Sequence, residues 1–152
     1  MNGTGSETRL VWPGLRGFYD SFFDVAYALM RLAIGYILLR HGIVKAHMGV
    51  TAVAANIMAK NGMQPALAFA YAATALETVG AVCIILGVFT RFFAAALAIE
   101  MGIALLVVHL PKGFAAAQGG YEYVLLIGIV MLVIAIRGGG RYSVDRLVGR
   151  EL

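Results

Sequence analysis

Apolar residues in this chain gather into long runs, and polar residues punctuate those runs instead of alternating within them. Four runs stand out, from about Phe22 to Val44, Pro65 to Gly87, Phe92 to Leu110 and Tyr121 to Ile136. A helix needs about 17 to 25 apolar residues to cross a hydrocarbon core, whereas a barrel strand needs only about 10 with strict alternation. The pattern therefore predicts an all-α membrane protein, an up-down bundle of four transmembrane helices. The fourth run is the shortest. Between the first two lies HMGVTAVAANIMAKNGMQP, too polar and too short to cross but apolar at helical spacing, which predicts a short interfacial helix between spans 1 and 2. Asn61-Gly62 stops it, and Pro65 is placed to open the next helix. Small residues crowd YAATALETVGA and FFAAALAIEMG, which lets those helices approach closely where lipid supplies no hydrophobic drive.

These runs divide the chain into a polar N-terminal arm at 1–21, a transmembrane domain at 22–137 and a basic tail at 138–152. Composition agrees: of 152 residues, 61% are hydrophobic and 13% charged, a balance foreign to soluble domains. The mean hydropathy is +0.86. The first run follows a polar stretch and is long enough to span, so it is expected to stay as a helix and not to be cleaved as a signal. The single Cys83 excludes a disulfide framework, a CxxC redox pair and a cysteine zinc cluster.

The net charge of +4 sits at the ends of the runs, where it orients a membrane protein; nucleic acid is not an expected partner. With both termini cytoplasmic, Arg9, Arg16, Arg91, Arg137, Arg141, Arg146 and Arg150 face inward, against Lys45, Lys60 and Lys112 outside. That bias predicts a multi-pass protein of the bacterial inner membrane, with the HLPKGF…GGYEY turn facing the periplasm.

Two groups of residues carry candidate chemistry. Glu77 and Glu100 stand in mid-span, where an ionised carboxylate must find a cation, a proton or the bundle interior. Counting about 1.5 Å per residue puts Arg31 at similar depth, so Arg31, Glu77 and Glu100 are expected to share one buried network, with Asp24 extending it. Such a network serves either as a structural ion pair or as a proton relay.

The second group is a rim at the opposite end: His41 and Lys45 closing the first span, His109 closing the third, and Tyr121 and Glu122 opening the fourth. Singly, each has a structural explanation as a snorkelling side chain, a helix-end charge or part of an aromatic belt with Tyr123. Together they suit a polar-headed apolar ligand such as a quinone, with His and Lys as donors and aromatic faces holding the ring. Haem or a metal is disfavoured, because no CxxCH and no further His pair accompany His41 and His109. Ser143 lies in the basic tail and Cys83 lacks an obvious activating neighbour, so no catalytic nucleophile is evident.

The order of RLAIGYILLRHGIVK, LETVGAVCIILGVFTR, VHLPKGF, GGYEY and GRYSVDRL resembles the DoxX family of small four-helix bacterial membrane proteins, over about residues 29–148. The resemblance implies an inner-membrane protein, in some relatives the membrane subunit of quinone-linked oxidoreductases. Other relatives belong to membrane-associated oxidative-stress complexes, to maturation systems for secreted metal-binding peptides or to receptor assembly. Its motif positions here are His41, Gly42, Lys45, Glu77, Gly80, Arg91, His109, Gly120, Tyr121 and Glu122. Two readings follow: a subunit that offers a quinone site to a redox partner and is not catalytic alone, or a non-enzymatic assembly or scaffolding factor. Either implies the lipid bilayer and a protein partner, and leaves a homo-oligomer open.

Overall fold

The computed structural model describes residues 10–151. Glu7 and Arg9 of the N-terminal arm lie outside the described residues, within which the chain is helical and contains no strand. Among the described residues, three helices are long and apolar enough to cross a membrane: Pro13–Met48, Ala66–Leu86 and Thr90–Lys112. A fourth, Glu122–Arg137, has 16 residues. The first helix starts earlier than its apolar run suggests, because Pro13 opens a 3-10 turn that passes without a break into Arg16–Met48.

The connection after the first helix is helical too. It runs through Val50–Val53, a π-helical turn Ala54–Met58 and a 3-10 turn Ala59–Asn61. Gly62 then stops it in the left-handed region, at φ 75°, where glycine carries no Cβ penalty. Val53, Ala54 and Met58 pack on Ala70 and Ala73 at the start of the second helix, in a core separate from that of the main bundle. The main core contains Leu38, Ile84, Leu97, Ile127, Met131 and Ile134.

Side-chain contacts fix the antiparallel order. The Tyr27 hydroxyl donates to Gly138 O at 2.6 Å, joining the early part of the first helix to the end of the fourth. Arg31 donates to the carbonyls of Ile84 and Ile85 at the end of the second helix, and to Tyr142 O in the tail. At the other end, Lys45 of the first helix meets Glu77 of the second. The first and second helices touch through glycines. A Cβ at Gly35 would stand 2.7 Å from Ile85 Cγ1, and one at Gly42 would run into the backbone of Glu77. Close backbone approach of this kind is how helices associate in lipid.

The basic tail folds back as a clasp. Asp145 is buried, and its carboxylate accepts from Phe89 N at 2.8 Å, Thr90 N at 2.9 Å and Thr90 Oγ1 at 2.6 Å. It thereby satisfies free N–H groups at the start of the third helix and places negative charge at that positive helix end. The two arginines do the converse: Arg31 caps carbonyls at the end of the second helix, and Arg91 those of Ala135, Ile136 and Arg137 at the end of the fourth. Arg91 also pairs with Glu151 at 2.8 Å. Arg137 lies over the rings of Phe23 and Tyr27, at 4.5 Å and 3.9 Å from their centroids. Arg31, Arg91 and Asp145 are thus committed to holding helix ends together.

Candidate functional site

A cavity of about 620 Å³ opens at the end of the bundle away from the tail. All four helices and the connecting segment line it. The first helix supplies Leu38, His41 and Lys45, and the connection supplies Asn56, Ile57, Met58, Asn61 and Met63. Phe69, Leu76 and Glu77 come from the second helix, Ile99, Glu100, Ile103 and His109 from the third, and Tyr123, Val124 and Ile127 from the fourth. The lining is mostly apolar, with a few polar groups converging, which is the usual make-up of a small-molecule site. Ile99 is 66% exposed and Ile103 38%, so the cavity reaches the outer surface of the third helix.

The backbone around the cavity departs from regular α-helix. Three π-helical turns occur among the described residues, at Ala54–Met58, Leu76–Gly80 and Leu105–His109, and each contributes lining residues. A π-turn inserts an extra residue into a helix and commonly marks a functional position. Here one turn carries Glu77 and another ends on His109. The Thr74 and Thr78 hydroxyls donate to Ala70 O at 2.8 Å and Thr74 O at 2.6 Å, a back-bonding that favours local bending just before Glu77 and beside it.

Charge inside the cavity is arranged as a pair and an extra acid. The Lys45 ammonium donates to Glu77 Oε2; the Lys45 side chain is 18% exposed and that of Glu77 6%. Glu100 lines the same cavity, and its Oε2 is buried with no hydrogen-bond partner among the described residues. His109 is oriented by its Nδ1, which lies 2.7 Å from Gly119 O. A carbonyl oxygen only accepts, so Nδ1 carries the hydrogen and Nε2 of the neutral ring is an acceptor. His41 stands at the exposed mouth, with its ring centroid 6.3 Å from that of Tyr123. Among the described residues, no three His, Cys, Asp or Glu side chains gather closely enough to hold a metal ion.

The two groups read from the sequence are therefore redistributed. Glu77 and Glu100 join Lys45, His41 and His109 in one cavity. Arg31 does not belong to it: its guanidinium is spent on helix-end carbonyls at the tail end of the bundle. Asp24 faces Arg141 at 3.7 Å and is likewise separate. Tyr121 and Glu122 lie outside the cavity. Tyr121 packs edge-on against Phe114, with centroids 5.5 Å apart, and Glu122 Oε2 accepts from Ala116 N at 3.1 Å.

The GGYEY motif closes the loop beyond His109. Gly119 is left-handed, at φ +79°, and a Cβ at Gly120 would collide with Gly113 and Phe114 backbone. Tyr123, read as part of an aromatic belt, lines the ligand space together with Gly119 and Gly120 of this motif. Asn56 and Asn61 join the lining from a segment in which the sequence singled out only Asn61, as turn chemistry. Their one signal was polarity within the otherwise apolar AANIMAKNG.

The fold and the site together define a small helical membrane protein with a ligand-sized cavity built at one end of its bundle. The DoxX family model matches residues 26–110, more than half of the chain, and the chain belongs to that family. The match takes in His41, Lys45, Glu77, Glu100 and His109, and stops short of GGYEY and the tail. Two uncharacterized proteins of Haemophilus influenzae are similar. One is 32% identical over 124 residues, covering 78% of this chain and 87% of its own length. The other is 32% identical over 65 residues, 43% of each chain, so the chain spans less than half of that relative. No solved structure matches.

Proposed function

We propose that this protein is the membrane subunit of a redox-associated complex and holds a quinone-type ligand in the cavity between its helices. The observation that carries this reading is a single one: a 620 Å³ apolar space that reaches the outer face of the third helix and gathers Lys45, Glu77, Glu100 and His109. A ring with two oxygens and an isoprenoid tail matches it, the tail lying along Ile99 and Ile103 and the ring against His41 and Tyr123. The chain offers no redox side chain of its own for electrons, so it serves a partner protein and is not catalytic alone.

In this reading Glu122–Arg137 also crosses the bilayer, since it runs antiparallel beside the third helix between the same two ends. The segment from Val50 to Asn61 lies in the interface. Both termini are cytoplasmic, as the arginine-rich tail end suggests, and the cavity faces the periplasmic side of the inner membrane.

The test is purification in mild detergent followed by extraction and identification of lipid-soluble compounds. Recovery of a quinone near one equivalent, reduced severalfold by Ile103→Trp in a protein of unchanged helicity, supports the reading. Protein that carries no quinone and takes none up when it is supplied ends it.

The second reading, an assembly or scaffolding factor, draws on the first helix. There Phe18, Phe22 and Phe23 are exposed, and the Phe18 and Phe22 rings stack at 4.7 Å. Loss of a partner's membrane level on deletion of this chain, restored equally by the wild type and by Ile103→Trp, would favour it.

A further inference from the structure

Two carboxyl groups share the cavity, and their surroundings differ. Glu77 meets the Lys45 ammonium and stays ionised. Glu100 has no such partner: its Oε2 is buried and unpaired among the described residues. It lies near the middle of Thr90–Lys112, a helix long and apolar enough to cross the bilayer. The other charged or titratable groups of the lining bring it no cation. Lys45 is committed to Glu77, and His41 and Lys112 are exposed at the mouth. His109 and Lys112 stand further along the same helix, about 14 and 18 Å away by axial rise. Among the described residues, the fourth helix and the connecting segment place no charged side chain in the lining. An ionised carboxylate without a cation at that depth is far costlier than the neutral acid, and the negative charge on Glu77 in the same cavity adds to the penalty. Glu100 therefore keeps its proton.

Access to it comes from the lipid side. Ile99 precedes Glu100 and Ile103 follows on the same helical face; both line the cavity and both are exposed on the outside of the helix, where acyl chains lie.

We propose that Glu100 is a covalent-modification site for apolar carbodiimides, a proton-holding acid in mid-bilayer that is reached from the lipid past Ile99 and Ile103. The carboxyl O–H adds across one C=N bond of the reagent: the oxygen bonds to the central carbon and the proton goes to nitrogen. The acyl group then moves from that oxygen to nitrogen, which leaves a stable N-acylurea. No group departs, and nothing is oxidised or reduced. Water returns the first adduct to the free acid, so a dry site retains the label. Such labelling reports a standing property of the cavity: whatever its ligand, it meets a neutral acid that both donates and accepts.

The experiment treats the full-length protein, freed of bound quinone and reconstituted in phosphatidylcholine vesicles at neutral pH, with N,N′-dicyclohexylcarbodiimide, and maps the adduct by peptide mass spectrometry. Glu100 is expected to be labelled at least about tenfold faster than Glu77, since the neutral acid reacts and its anion does not. The label is expected to vanish in Glu100→Gln. Ethyl(dimethylaminopropyl)carbodiimide, which is cationic and stays in water, is expected to label Glu100 far more slowly. An unlabelled Glu100, or equal labelling of Glu77, overturns the proposal and leaves the ligand reading standing. Equal labelling of Glu100 by the cationic reagent overturns the route through the lipid. Decylubiquinone added first, with its tail along Ile99 and Ile103, is expected to slow the reaction severalfold; labelling at full rate in its presence counts against the ligand reading and leaves the acid in place. Should Glu100→Gln fail to fold, the map of the wild-type adduct still decides the site.

Discussion

Lys45 on the first helix and Glu77 on the second form an ion pair in the wall of the cavity, one turn from the glycine at which the two backbones touch. The geometry of helices explains it. A helical Cα–Cβ bond tilts toward the N-terminus of its own helix. The two helices are antiparallel, so Lys45 leans into the bundle while Glu77 leans out toward the mouth, and the side chains converge.

Removing one partner strands the other. Lys45→Met leaves the Glu77 carboxylate buried without a cation, and is expected to lower stability by about 3 kcal/mol, the low end for a broken buried pair because Lys45 keeps some exposure. The double variant Lys45→Met, Glu77→Gln is expected to recover most of that loss. Reversible unfolding in detergent of the wild type, both single variants and the double variant measures the coupling; additive losses would mean that the pair has no energetic reality.

Gly42 is where the second helix comes closest. Gly42→Ala puts a methyl group into the backbone at Glu77, which cannot rotate aside as a flexible side chain would. The helices must separate, and the expected loss is about 2 kcal/mol or more. Gly102, with open space around its Cβ position, is the control. Gly102→Ala is expected to be neutral or slightly stabilising through helix propensity. Equal melting temperatures for the two variants would contradict the close contact.

Much of this arrangement was legible in the sequence, and the boundaries explain why. Where a run is bounded by a residue with a physical reason to start or stop a helix, as the second is by Pro65 and the left-handed Gly87, the observed helix falls close to the run. Arg31 was not legible. Depth counted from Phe22 puts it level with the two glutamates. The helix starts at Arg16, however, and the Arg31 side chain leans toward that end, reaching the last carbonyls of the second helix. Depth along a helix axis says nothing of which way a long side chain lies. The partners that absorb Arg31, Arg91 and Asp145 are mostly backbone groups, which carry no signature in the residue pattern. In the motif GGYEY, Tyr121 and Glu122, read as part of the ligand rim, instead pack on their own loop, while Gly119, Gly120 and Tyr123 line the cavity.

The tail clasp makes its own prediction. Asp145→Ala removes three hydrogen bonds at the start of the third helix and releases Phe89, which is held at φ 46° in the left-handed region. Loss of a charged cap is expected to cost about 2 kcal/mol. Asp145→Asn, which keeps acceptor geometry with one oxygen, is expected to cost less. Thermal unfolding and protease sensitivity at Val88 to Arg91 read this out. An unaffected Asp145→Ala protein would mean that the tail is not part of the folded unit.

The last prediction concerns which ends share a side. His47 follows the first helix's last cavity residue, and Lys112 ends the third helix beside the cavity, whereas Arg141 and Arg150 belong to the clasp at the other end. In a Cys83→Ser background, single cysteines at 47 and at 112 are expected to react with a membrane-impermeant maleimide in intact spheroplasts. Cysteines at 141 and 150 are expected to react only after lysis, by the positive-inside bias. Reversal of all four would turn the molecule over and move the cavity to the cytoplasmic face, with its residues still together. Reaction of 47 and 112 from opposite sides is the damaging result, because four helices of up-down order cannot place those ends apart. Lys45, Glu100 and His109 could then no longer surround one ligand.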